Sequence, residues 1–189
     1  MFIIGIDFLS VLKSVDGCFE QEAKSIFTHI KQPYKYQSDF FDVQKISVLS
    51  NTIIPEMTSG VYVFVINSKT PIKQSNFIAV NYSPQFNNSN HKRLGIKRGD
   101  DFKNGEILYL GKSEKKLKKR LEEHIGQPKG KNTYALRLGD KNRQLLYGKL
   151  DLYVFTLKNE YKKYSKTILS SVESFLHDIA CPRMGTKRT

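Results

Sequence analysis

Gly60-Val61-Tyr62-Val63-Phe64-Val65-Ile66-Asn67 is short, β-branched and aromatic, and it is bounded by Gly and Asn, so it reads as a strand. Downstream, Phe77 to Tyr82 and Gly105 to Tyr109 are further strand candidates. Between them lies a polar stretch rich in Asn and Lys, Ser83 to Asn104, that reads as a long loop or β-insert. Helical spacing appears over Ser113 to Ile125, where Leu117, Leu121 and Ile125 make an apolar stripe, Ser113 is the expected cap, and Gly126 and Pro128 stop the run. Leu150 to Leu157 is another β run. Ser165 to Ala180 is expected to be a last amphipathic helix with Ile168, Leu169, Val172, Phe175, Leu176 and Ile179 inward.

Upstream of Gly60 the pattern differs. Phe8, Leu9, Leu12 and Val15, then Phe19, Ala23, Ile26, Phe27 and Ile30, recur at spacings of three and four. They predict two helical pieces broken at Asp16-Gly17, with Asp7 as N-cap of the first and Pro33 closing the second. Tyr34 to Met57 reads as a looser linker. Residues 1–57 are therefore expected to form a helical extension and linker preceding a domain over 58–189, with an insertion at about 68–104.

The chain has 189 residues, 39% apolar and 12% aromatic, which suits one domain with a sizeable core and excludes the composition of a disordered polypeptide. Cys18 and Cys181 stand in unrelated contexts and give neither a metal-ligand spacing nor a disulfide framework, so a reducing cytoplasm is the expected location. The apolar start, Met1 to Ile6, is short, lacks a basic leader and meets Asp7, which is not the form of a signal peptide. No run approaches the roughly 18 uninterrupted apolar residues of a membrane helix, so no membrane is expected.

Charge points to a partner. The net charge is +13, and its distribution is uneven: residues 1–59 carry 5 basic against 7 acidic groups, whereas residues 91–149 carry 17 against 7, a net of +10. A positive field gathered in the middle of the chain favours a polyanion. Lys112, Lys115, Lys116, Lys118, Lys119 and Lys131 surround the helix after Gly111, and Arg183, Lys187 and Arg188 follow the last one. Neutralising phosphates with such side chains gives salt-dependent affinity without sequence choice. His91, Lys92, Arg93, Lys97 and Arg98 lie in the long loop, where they could reach base edges.

Several chemistry-bearing residues fall in order among these elements. Gly60-Val61-Tyr62 opens the first strand, Tyr109-Leu110-Gly111 closes a later one, and Arg120 and His124 stand four apart, on one face of the following helix. Glu173 lies at the edge of the last helix's apolar face, where a partly desolvated carboxylate suits a metal ligand. Singly, each has a plainer reading, as a core aromatic, a basic-helix cation or a surface acid.

At these residues the chain resembles the GIY-YIG nuclease superfamily, over Gly60 to about Gly185. Tyr62, Tyr109, Arg120, His124 and Glu173 fill that family's motif positions in order. The resemblance implies an α+β fold, a small antiparallel sheet with a three-stranded core flanked by helices. It also implies an endodeoxyribonuclease, a hydrolase that cuts a phosphodiester of double-stranded DNA through one Mg²⁺, or Mn²⁺ in its place. Arg120 would hold a phosphate oxygen, Glu173 would bind the metal, Tyr62 or His124 would serve as base, and Tyr109 would position water or phosphate. For Tyr62 to act, neighbouring cations must lower its pKa from the ordinary value near 10. His124, with a pKa near neutrality, is the competing base or the relay.

Two departures are visible. The family's two signature motifs usually lie about a dozen residues apart, whereas 46 residues separate Tyr62 from Tyr109, and no Asn follows Glu173 in Cys181 to Gly185. The long insertion resembles restriction-type members, so a type II restriction-like or related defence nuclease leads, with a homodimer compatible. The alternatives are a repair or phage-type structure-selective nuclease, and a non-catalytic basic nucleic-acid-binding module on the same scaffold.

Overall fold

The structure, a computed structural model, describes residues 8–32, 36–73, 101–126, 135–139 and 143–184. Four strands, β1 (Phe41–Ser47), β2 (Gly60–Ile66), β3 (Ile107–Ser113) and β4 (Leu150–Leu157), form one antiparallel sheet in the order β1-β4-β2-β3. The helices are α1 (Phe8–Lys31), α2 (Leu117–Ile125) and α3 (Ser165–Ala180), and a short 3-10 helix, Asn159–Tyr164, leads into α3. The α+β class with an antiparallel sheet flanked by helices is as the sequence implies. No helix of the described residues is long and apolar enough to cross a membrane.

β2 is buried along its whole length because it lies inside the sheet with both faces covered. Tyr62, Phe64 and Ile66 point to one side, into a core shared with Leu117, Leu121 and Ile125 of α2. Val61, Val63 and Val65 point to the other, where Ala23 and Ile26 of α1 and Ile168, Leu169, Val172 and Leu176 of α3 close over them. Gly60 is required by close approach, since a Cβ there would lie 2.3 Å from the Phe155 carbonyl oxygen of β4. Between β2 and β3 the register shifts, with Phe64 opposite Tyr109 and Val65 opposite Ile107. Leu108 is thus the extra residue of a bulge, and Tyr109 falls on the same face as Tyr62.

Three expectations need correction. The predicted break at Asp16-Gly17 does not occur, and α1 runs unbroken through both residues. A mid-helix Gly costs only about 0.5–1 kcal/mol relative to Ala, while Phe19, Ala23, Ile26 and Ile30 bury one continuous face. The segment read as linker contains β1, an edge strand that pairs with β4 from Phe41↔Leu157 to Ser47↔Asp151 and adds a fourth strand to the three expected. β3 does not stop near Gly111 but continues to Ser113, so α2 begins at Leu117. Ser113 still accepts a hydrogen bond from the Lys116 N–H at 3.3 Å, and the first amides of α2, Leu117 and Lys118, donate to the carbonyls of Thr58 and Met57. The strand expected at Phe77 to Tyr82 lies outside the described residues.

Candidate active site

Four of the five motif residues meet on the α2 side of the sheet. Tyr62 comes from β2, Tyr109 from β3, and Arg120 and His124 from adjacent turns of α2. The His124 ring is fully buried and lies against three others, with centroids 5.2 Å from Tyr62, 5.5 Å from Phe64 and 4.9 Å from Tyr109. Tyr62 and Tyr109 stack at 6.2 Å. Gly111 makes the room: opposite Tyr62 in the register, it could not carry a Cβ, which would sit 2.7 Å from the Tyr62 hydroxyl.

The hydrogen bonds fix which atom donates. The Leu136 backbone N–H donates to Nδ1 of His124 at 2.9 Å, so that nitrogen is the acceptor of the ring. Burial, with the Arg120 cation adding to it, holds the imidazole pKa well below its ordinary value, so the ring is neutral. A neutral imidazole has one donor and one acceptor. Nε2 therefore carries the hydrogen and donates to the Tyr62 hydroxyl at 3.0 Å. Nε of Arg120 donates to the same oxygen at 3.3 Å. Tyr62 hydrogen bonds in turn to Tyr109, whose pKa it helps to lower against a larger upward push from burial.

Arg120 is itself anchored. Its NH1 pairs with Glu123 at 3.1 Å, both side chains about one-fifth exposed. Burial works against its charge, but Tyr62, Tyr109 and Glu123 raise its pKa, so the guanidinium remains a fixed cation.

Glu173 approaches from the other layer. It is half-buried on α3, the helix on the opposite face of the sheet, and β3 is the edge strand at which the two layers can meet. Its carboxylate raises the pKa of both Tyr62 and Tyr109, which puts it within electrostatic reach of both. Among the described residues no group of three or more His, Cys, Asp or Glu could hold a metal ion. Among the described residues the carboxylate the site offers such an ion is that of Glu173, Glu123 being engaged with Arg120. That fits a hard cation that keeps most of its waters and shares a substrate phosphate, as Mg²⁺ does, and not a cage made wholly by the protein.

Two sequence expectations change here. Cations are expected to lower the Tyr62 pKa, whereas burial first, then Tyr109 and Glu173, raise it well above its ordinary value, with Arg120 opposing. His124 is expected to be a competing base or a relay near neutrality, and the base role is the one that does not hold. With Nδ1 taken by a backbone amide and Nε2 protonated, it is instead a donor to Tyr62.

The basic residues divide. Lys115, Lys116 and Lys119 are exposed on and before α2. Lys112 is held by Glu114 at 3.1 Å and by Ser170 at 2.5 Å, Lys118 pairs with Glu56, and Arg183 pairs with Glu106 at 3.1 Å and covers the Phe102 ring. Arg93, Arg98, Lys131 and Lys187 lie outside the described residues. Sequence reasoning missed Glu123, although its i+3 spacing from Arg120 was a usable signal. It also missed Leu136, whose amide sets the His124 tautomer, and Arg143, which is buried and donates to the Leu136 carbonyl. No family model, no curated protein and no solved structure matches this chain.

Proposed function

We propose that this protein is a divalent-metal-dependent DNA endonuclease of the GIY-YIG type, of restriction-like or related defence character. The observation that carries the reading is the convergence of Tyr62, Tyr109, Arg120 and His124 into one hydrogen-bonded cluster, with Glu173 in electrostatic reach of it. Burying such groups costs free energy unless they are satisfied, and an apolar core of the same shape would serve stability as well. Their presence is explained by work on a charged substrate.

In this reading Arg120, held by Glu123, supplies preorganised positive charge to the phosphate, whose transition state gains charge on its oxygens. His124 and Arg120 both donate to the Tyr62 oxygen, which stabilises that oxygen whenever its proton leaves. For Tyr62 to act as base against its raised pKa, its own proton must first leave to solvent by way of Tyr109, and the resulting phenolate then takes a proton from the attacking water. Glu173 would hold the metal, Mg²⁺ or Mn²⁺, which when bound would supply Lewis-acid stabilisation to the leaving oxygen. A non-catalytic binder has no use for a carboxylate beside phosphate. The restriction-type character rests on the long insertion between Tyr62 and Tyr109, as a source of base contacts.

Plasmid DNA incubated with the protein tests the reading. Cutting is expected with Mg²⁺ or Mn²⁺ and is expected to stop in EDTA. Equal cutting in both would remove the metal role of Glu173, and no cutting under any divalent metal would remove the nuclease.

A further inference from the structure

We propose that Lys162, Lys163, Tyr164 and Lys166 form a second phosphate-contacting surface for duplex DNA, on the other side of the β3 edge from the lysines of α2. The partner's identity rests on the nuclease reading. The surface rests on placement.

The end of β4, the start of β2 and the end of β3 lie together, because Gly60 is opposite both Thr156 and Ser113. α2 starts at that same end, its first amide bonded to Thr58. The chain leaves β4 there through the 3-10 helix Asn159–Tyr164 and turns into α3. Lys162, Lys163, Tyr164 and Lys166 are all exposed, Tyr164 by 55% with the Lys163 ammonium over its ring at 4.7 Å. From residue 158 to residue 170 Glu160 is the one acid.

Contacts connect this corner to the site. Lys112 on β3 reaches Ser170 of α3 at 2.5 Å. Lys166, Ser170 and Glu173 are spaced i, i+4 and i+7, so they share one helical face. Lys166 is thus one turn from the β3 contact, and Glu173 is about one turn beyond it on the other side. Lys115, Lys116 and Lys119 are exposed just after β3 and in the first turn of α2, the helix that packs against β3 from the other layer. A backbone lying along β3 would meet cations from both layers and pass the cluster between them. Tyr164 adds a hydroxyl of the kind that donates to phosphate oxygens.

The test is binding of a short duplex in EDTA, where nothing is cut, over a range of KCl. The Lys162→Gln, Lys163→Gln, Lys166→Gln triple variant should bind at least about tenfold more weakly at moderate salt. Its slope of log affinity against log salt should be shallower by up to about 0.9 for each phosphate that is no longer neutralised. The corresponding Lys→Arg triple should bind as the parent does. Replacing Lys24, Lys31 and Lys149 by Gln removes equal charge from α1 and the opposite end of the sheet, and should change little. Parental affinity and slope in the first triple would overturn the proposal, as would an equal weakening in the control triple or no duplex binding by the parent. A parent that binds in this way but cuts nothing in Mg²⁺ would sink the nuclease and leave the surface standing.

Discussion

The two faces of the sheet are built differently. On the α1–α3 side, β2 presents Val61, Val63 and Val65 to Ala23, Ile26, Leu169, Val172 and Leu176, and the one buried carboxylate among the described residues, Asp151 opposite Val65, is paired with Lys45 at 2.8 Å. On the α2 side, the same strand presents Tyr62 beside Phe64, and a buried histidine and a partly buried arginine converge on its hydroxyl. Fold stability needs only the first arrangement. The second buries groups that must each find a partner, and it is the side on which the proposed function places the chemistry.

If this contrast is right, damage to the two faces should separate cleavage from stability. The largest effect is expected from Arg120→Ala, which removes the fixed cation. DNA cleavage should fall roughly 10²–10³-fold, the size seen when one preorganised donor is removed. Stability should fall by only about 1–2 kcal/mol, since the partly exposed Glu123 pair contributes about 0–1 kcal/mol and the lost hydrogen bond to Tyr62 leaves that hydroxyl still held by His124. Single-turnover rates and thermal midpoints together check this, and a rate decrease below about threefold would end the comparison.

The opposite face gives the reverse outcome. Ile26→Ala on α1, far in sequence from every site residue, should cost about 2–5 kcal/mol in urea unfolding through the cavity it leaves. The cleavage rate of the folded protein should be unchanged. A slower rate without any drop in stability would show that the apolar face is not merely structural.

A smaller effect sharpens the assignment of His124. Its folded pKa is depressed, so below the ordinary value near 6.5 the unfolded chain takes up a proton that the folded one refuses. Stability should therefore fall as pH drops below about 6.5, by up to about 1.4 kcal/mol per pH unit, until the folded pKa is reached. The groups facing the ring are Arg120, Tyr62 and Tyr109, none of which titrates in that range. His124→Gln should lack this component. Identical pH dependence in parent and variant, measured by urea unfolding at pH 7.5 and 5, would mean that the ring is not held neutral.

The clean periodicities were legible. The runs Leu150–Leu157 and Ser165–Ala180 appear with the bounds expected, but the inward face of the last helix is Ile168, Leu169, Val172 and Leu176: Phe175 is only partly buried and Ile179, expected inward, is exposed near the helix end. β1 was hidden because it is an edge strand: in Phe41–Ser47 only Phe41 is buried, and Asp42, Gln44 and Lys45 dilute the pattern. Its pairing with β4 comes from backbone groups, which leave no mark on side-chain type. At the site, residue types and order were readable, but the direction of the Tyr62 pKa was not. It depends on how deeply β2 is covered, and the sequence showed only the nearby cations. The Leu136 amide was invisible for the same reason as β1, being a backbone donor 12 residues from the ring it fixes.

The most direct test of the central claim is Glu173→Ala, compared with the parent on one end-labelled duplex in Mg²⁺, with binding measured separately in EDTA. Glu173 is the one motif residue that comes from the otherwise apolar layer, and it is half-exposed, so its removal should leave the fold intact. The account predicts no cleavage by the variant over times in which the parent finishes, with duplex affinity equal or higher because a negative charge beside phosphate is gone. Cleavage by Glu173→Ala at the parental rate would contradict it.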